Sequence, residues 1–143
     1  MSSQASNKIK ELLWKKVIDG VNDTFKIALM ADGFTFNKDS HDEYADVSAY
    51  EVTNGSGYST GGATLAGNTV TKDDTEDAGI LSFNNASWTM SGANLATVGA
   101  IIYDDSVASP AVKPIAGYID FGGLLTTYDG NTFTVVNIAI PIF

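Results

Sequence analysis

Few side chains in this sequence could carry out chemistry. The only histidine, His41, lies among acids in residues 39–43, where an imidazole can act as a general base or as a metal ligand. No nucleophile stands at a recognisable spacing from it, and the G-x-S-x-G pattern of a nucleophile elbow is absent. The absence of cysteine removes thiolate nucleophiles, thiolate metal ligands and disulfides. We expect His41 to be a solvated loop residue and the chain not to be an enzyme.

Two further segments have the composition of ligand-binding loops. Residues 73–77, DDTED, cluster carboxylates of the kind that Ca²⁺ prefers, but Gly79 is at the wrong offset for a twelve-residue EF-hand loop. The glycine-rich residues 54–68 match neither a Walker A loop nor a dinucleotide fingerprint, and no lysine occurs between Lys38 and Lys72. We expect a solvated turn at the acidic segment, with no metal and no cofactor.

The composition of the chain predicts that short β-strands position any functional site. The chain is 44% hydrophobic and contains 14 glycines but only 3 prolines, a composition typical of short strands joined by tight turns. The fold class predicted is all-β, mainly an antiparallel β-sandwich or jelly roll, with one short N-terminal amphipathic helix. A long excursion over residues 34–52, with a helical turn near 42–47, interrupts the strands. The predicted strands cover residues 25–31, 69–71, 79–83, 87–90, 97–103, 115–121, 132–136 and 137–142.

Charge divides the chain into a basic start and an acidic remainder. The net charge is −9, yet four of the eight lysines and only one acid fall within the first 18 residues. An acidic body repels phosphate backbones, so we expect no nucleic-acid partner. The apolar runs are far shorter than a membrane span and the start lacks an apolar leader segment. We therefore expect an unsecreted, soluble protein with no membrane partner.

Both ends of the chain carry apolar residues that we expect to need a partner. Residues 8–18, KIKELLWKKVI, have apolar side chains near helical spacing with lysines on the other side. This pattern fits a helix that caps its own core, and it also fits a helix that anchors the chain to another protein. We divide the chain into a basic helical arm, 1–20, and a single β-sandwich domain, 21–143. The predicted partner-interface residues are Leu12, Leu13, Trp14, Lys15, Lys16, Ile138, Ile140 and Phe143.

Several stretches, read in order, resemble one group of proteins. They are FKIALMADGF (25–34), Asp46-Val47, GYSTGGATLAGNTVT (57–71), ILSFNNASWTM (80–90), VGAIIYDD (98–105), IAGYIDFGG (115–123) and GNTFTV (130–135). Their order over residues 24–136 resembles the small structural proteins of tailed-bacteriophage virions. The lysine-rich helical start and the apolar IAIPIF end depart from the pattern of that group.

The resemblance implies a structural role in a phage particle and brings no catalytic residues with it. The function expected is that of a capsid decoration or cement protein, which stabilises the head by bridging capsid subunits. Its partners would be the major capsid protein or other virion subunits, and we expect a homo-oligomer, either dimer or trimer. The location implied is the virion, after synthesis in the host cytoplasm. The alternative is a tail, neck or head-fibre component that binds a host glycan or protein through loops around Tyr44, Tyr50 and Tyr58.

Overall fold

The fold is built almost entirely from antiparallel strands. A computed structural model describes residues 2–143. Strands hold 44% of the chain and helices 11%, so the predicted sandwich-like all-β class with a short N-terminal helix is confirmed. The elements are β1 (Ser2–Ala5), α1 (Asn7–Trp14), β2 (Phe25–Met30), α2 (Tyr44–Val47), a 3-10 turn (Ser48–Tyr50), β3 (Ala63–Thr64), β4 (Thr69–Asp73), β5 (Ala78–Ser82), β6 (Ala86–Thr89), β7 (Leu95–Asp104), β8 (Ile115–Thr127), β9 (Thr132–Val135) and β10 (Ala139–Ile142).

The strands form three sheets. The largest has the order β1-β8-β7-β2-β3, a second has the order β10-β5-β4, and β6 pairs with β9. Every pair of neighbouring strands is antiparallel. Strand β8 continues past residue 121, where the predicted strand ends. Gly122 and Gly123, with φ values of 86° and 158°, lie within it and do not end it. This extends the β7–β8 pairing beyond the predicted length.

The five-stranded sheet is covered on both faces. On one face, side chains such as Leu29 and Ile102 pack against the two smaller sheets and α1 in the main core. On the other face, Met30 and Ile101 are covered by residues 34–47. The excursion and its helical turn are therefore where the sequence predicted them. Its aromatic side chains serve as the cover for the second face.

Two glycines allow the glycine-rich segment to lie close to neighbouring backbone. A Cβ atom at Gly62, where φ is 79°, would lie 1.8 Å from the carbonyl oxygen of Ile27. One at Gly57, where φ is 102°, would lie 2.1 Å from the carbonyl oxygen of Thr89. Any side chain at these positions collides with backbone that cannot move aside. The segment is thus a packed part of the fold.

The N-terminal segment is part of the domain, which corrects the predicted arm at 1–20. Strand β1 pairs with β8 from Ser2↔Asp120 to Ala5↔Gly117 at the edge of the large sheet. Ser6 then caps α1 by accepting a hydrogen bond from the backbone N–H of Ile9 at 3.0 Å. The apolar side of the helix faces this chain's own core. Residues 2–14 and the strands form a single unit.

This packing predicts that substitutions at two positions of α1 change the free energy of unfolding by very different amounts. The Leu12 side chain is 0% exposed and Trp14 is 90% exposed. Leu12→Ala should lower the free energy of unfolding by about 2–5 kcal/mol through lost burial and a cavity. Trp14→Ala should change it by no more than about 0.5 kcal/mol. Urea unfolding of both variants tests the assignment, and equal losses would contradict it.

Candidate protein-docking surface

Three of the eight predicted interface residues lie in this chain's own core. Leu12, Ile138 and Ile140 are buried in the cluster between the sheets. Leu12 is on the inner side of α1, Ile140 points inward from β10, and Ile138 precedes that strand. The prediction that these three contact a partner is corrected, because no partner can reach them while the domain is folded.

Helix geometry places Trp14 on the outside. With 3.6 residues per turn, Trp14 lies about 200° around the axis from Leu12, so burying Leu12 turns the indole to solvent. The helix ends directly afterwards. Lys16 takes a left-handed φ of 60° and donates its N–H to the Leu13 carbonyl at 3.1 Å.

The end of the chain meets the end of this helix. Strand β10 lies at the edge of its sheet. Its Pro141 has no backbone N–H to donate, and a sheet edge tolerates this because no further strand pairs there. Phe143 follows β10 and is 71% exposed. A shallow cavity of about 190 Å³ is lined by Lys10, Leu13, Trp14, Ile142 and Phe143. Two segments that the sequence indicated separately thus form one surface.

A longer groove continues from this cavity. It encloses about 550 Å³ between the 16–21 loop and the β4–β5 hairpin. Leu13 and Ile142 line both the groove and the shallow cavity, so the apolar surface is continuous. We call this the docking surface and define it as Leu13, Trp14, Val21, Val70, Ile80, Ile142 and Phe143. Val21, Val70 and Ile80 were not predicted.

Lysines line the helix side of the docking surface. Glu11 forms ion pairs with Lys8 at 3.0 Å and with Lys15 at 2.7 Å. Within residues 2–143, Lys10 and Lys16 form no ion pair. Their ammonium groups are available to negative charge on a partner. Lys15 and Lys16 are both exposed next to Trp14.

A second group of polar residues, around Glu51, holds loops onto the large sheet. The Glu51 carboxylate accepts hydrogen bonds from the hydroxyls of Tyr44 and Tyr58 and from the N–H of Gly61 at 2.7 Å. The Tyr58 hydroxyl also accepts from the N–H of Leu29 at 2.9 Å. Burial and the nearby carboxylate raise the pKa of both tyrosines well above its ordinary value. The cluster joins the excursion, the glycine-rich segment and β2.

The remaining candidate residues are held by local contacts. His41 Nδ1 accepts the N–H of Asn37 at 3.0 Å, and its ring stacks on Phe34. In the acidic turn, Asp73 accepts the N–H groups of Thr75 and Glu76. Across residues 2–143 no three His, Cys, Asp or Glu side chains are grouped so as to hold a metal ion. No helix in the same range has the length and apolarity to cross a membrane.

One buried carboxyl group that the sequence analysis did not identify lies at the end of β7. Asp104 is fully buried, and its Oδ2 meets no N–H or hydroxyl donor among residues 2–143. Its Oδ1 accepts the N–H of Ser106 at 2.9 Å. Burial and the nearby carboxyl groups of Asp23 and Asp105 raise the pKa of Asp104 to about 8. Asp23 belongs to the loop that forms one wall of the groove, where it accepts the N–H of Asp19 at 3.0 Å.

The raised pKa of Asp104 predicts that the free energy of unfolding falls as pH rises. The folded state keeps a proton that an unfolded carboxyl, with a pKa of about 3.9, releases. Stability is therefore fullest below about pH 4 with respect to this group and is lost as pH rises to about 8. Asp104→Asn retains the neutral shape and a donor, so its melting temperature should exceed that of the wild type at about pH 9 and approach it near pH 4.

Melting curves across this range test the Asp104 assignment. Asp32→Asn, at an exposed turn, is the matched control and should follow the wild-type pH profile. Parallel profiles for Asp104→Asn and the wild type would show that Asp104 keeps no proton in the fold.

Comparison with protein-family models, with curated proteins and with solved structures finds no match to this chain. Its function is therefore inferred from its own residues, and the docking surface is the candidate site.

Proposed function

We propose that this chain is a structural protein of a tailed-phage particle, a decoration or cement protein that stabilises the head by bridging capsid subunits. The observation that carries the proposal is the docking surface. Trp14 and Phe143 stand exposed beside a continuous apolar groove. Monomeric proteins rarely leave such a surface uncovered, and Trp is the residue most enriched at binding hot spots.

The distribution of charge along the chain supports a partner that binds on the side of α1. Sixteen of the seventeen acids lie after residue 18, so most of the molecule repels acidic surfaces. The lysines beside Trp14 are the exception. An apolar centre with a polar, charged rim is the usual anatomy of a protein–protein interface.

The order of sequence motifs supports the phage assignment within this class. The resemblance to small virion proteins spans residues 24–136, which contain most strands of the fold. A cement protein acts by adding buried area across the joints between subunits, and this needs a stable body with an exposed apolar contact. The fold provides the body and the docking surface provides the contact.

A second candidate function is recognition of a host glycan as a tail, neck or head-fibre component. A cavity of about 270 Å³ combines the aromatic rings of Phe36 and Tyr118 with the polar side chains of Gln4 and Asp120. Sugars bind to such combinations of rings and polar groups. Of the loop tyrosines first considered for this role, Tyr58 is buried and Tyr44 is bound to Glu51, while Tyr50 is exposed.

Particle binding tests the leading proposal. Trp14→Ala should weaken co-sedimentation of the purified protein with particles stripped of it by about thirtyfold, because a hot-spot residue contributes about 2 kcal/mol. Tyr128→Ala is the matched control, since Tyr128 is an aromatic residue 61% exposed outside the docking surface. Equal binding by the two variants would remove Trp14 from the contact.

Imaging separates the two candidate functions. Ser59 is exposed, and the chain contains no cysteine, so Ser59→Cys provides one thiol for a gold label. Label spread over the head supports a cement protein. Label confined to the tail or to fibres supports the glycan-binding component and overturns the leading proposal.

A further inference from the structure

The docking surface contains both a projecting side chain and a groove beside it. Trp14 projects from the end of α1 and is 90% exposed. The groove adjoins the shallow cavity beside Trp14, with which it shares Leu13 and Ile142. It encloses about 550 Å³ and is lined mainly by apolar side chains, among them Val21, Val70 and Ile80. A surface that carries a projection beside a matching depression complements a copy of itself rotated by 180°. That is the geometry of an interface between identical subunits related by a two-fold axis.

The two sides of the groove differ in net charge, although Asp19 lines the helix side together with Lys16, and Lys72 pairs with Asp74 at 2.8 Å on the hairpin side. Lys15 and Lys16 stand next to Trp14 on the helix side. On the other side, the acidic turn 74–77 closes the β4–β5 hairpin whose strands line the groove through Val70 and Ile80. Rotation by 180° places the lysines of one copy towards the acids of the other. This complementarity favours a second copy over a partner that is acidic throughout.

The exposed area is sufficient for an interface of modest strength. The two aromatic rings of Trp14 and Phe143 expose on the order of 300–400 Å². A standard interface buries about 800 Å² per partner, so the groove walls and the lysine stems must supply the remainder. The side chain of Lys72 is 82% exposed on β4, the outer strand of its sheet, and a lysine there opposes pairing between two β4 edges. The groove is the favoured contact.

We propose that a second copy of this chain occupies the groove, with Trp14 of each copy lying in the groove of the other across a two-fold axis. The inference rests on the proposed function in taking the docking surface as a protein contact. It adds the identity and symmetry of the occupant. The dimer is then the bridging unit: the docking surface joins the two bodies, and each body contacts one subunit of the shell through a surface outside it. In that arrangement Trp14→Ala weakens particle binding because it separates the two bodies.

Sedimentation equilibrium of the full chain tests the dimer. The wild type should change from monomer to dimer between about 5 and 200 µM, a range suited to an interface of this area. Trp14→Ala removes the projection, and Val70→Lys places a charge in the groove that repels the lysines of the other copy. Each variant should weaken association at least tenfold. Tyr128→Ala should behave as the wild type, and unchanged melting temperatures show that the fold is kept.

Mixing the two defective variants gives the decisive measurement. A Trp14→Ala homodimer has no projection and a Val70→Lys homodimer has no open groove, so each loses both contacts. A hybrid of the two keeps one contact, because the intact Trp14 of the Val70→Lys chain enters the intact groove of the Trp14→Ala chain. The mixture should therefore associate more strongly than either variant alone. A mixture that associates no more strongly than its parts overturns the two-fold arrangement.

The outcomes distinguish this inference from the proposed function. A wild type that stays monomeric, or that forms a trimer, overturns the dimer. If that monomer still binds phage particles through Trp14, the cement proposal stands and the shell is the occupant of the groove. A dimer that binds no particle confirms the inference and counts against the cement protein.

Discussion

Both faces of the five-stranded sheet are apolar, and the need to cover them is the constraint on which the rest of the structure depends. Strands β2 and β7 bury side chains on each side, so the sheet needs two separate layers. The smaller sheets and α1 form one layer. The excursion after β2 forms the other, and the hydrogen bonds of Glu51 fix it in place. Each buried face removes apolar area from water at about 25 cal/mol per Å².

The docking surface lies where the layer of smaller sheets and α1 that covers the five-stranded sheet ends. Helix α1 uses Ile9 and Leu12 to close one end of the main core, and the same helix turn that buries Leu12 exposes Trp14. Strand β10 likewise buries Ile140 and leaves Phe143 beyond its end. The exposed apolar residues are thus fixed in position by buried neighbours on the same elements. These side chains are already ordered before binding, so less conformational entropy is lost when a partner binds.

The strands were predictable from local pattern, whereas the edges and the groove were not. The strand predicted at residues 25–31 is β2, and its alternate residues Phe25, Ile27 and Leu29 all lie in the main core. Strand β1, with the sequence SSQA, has no such alternation and is a strand only because β8 offers it an unpaired edge. The helical stripe of α1 indicated burial without showing whether its own core or another protein would provide it. Val21, Val70 and Ile80 are far apart in the chain, and only the folded topology brings them to one groove. Asp104 lies one residue beyond the strand predicted at 97–103, and its burial depends on contacts that the sequence pattern does not show.

The pairing of the first strand with a late one governs the order in which the chain can fold during synthesis. Strand β2 can pair early only with the two-residue β3, and it meets its long partner β7 only when residues 99–104 have been made. Strand β1 finds its partner only at residues 117–120. Until then a nascent chain on the ribosome exposes a strand that is apolar on both sides. Sheets built from such distant pairings fold in milliseconds to seconds, more slowly than helical bundles. The excess of acids after residue 18 gives such unfinished chains a like charge, and this repulsion opposes their association before the last strands are made.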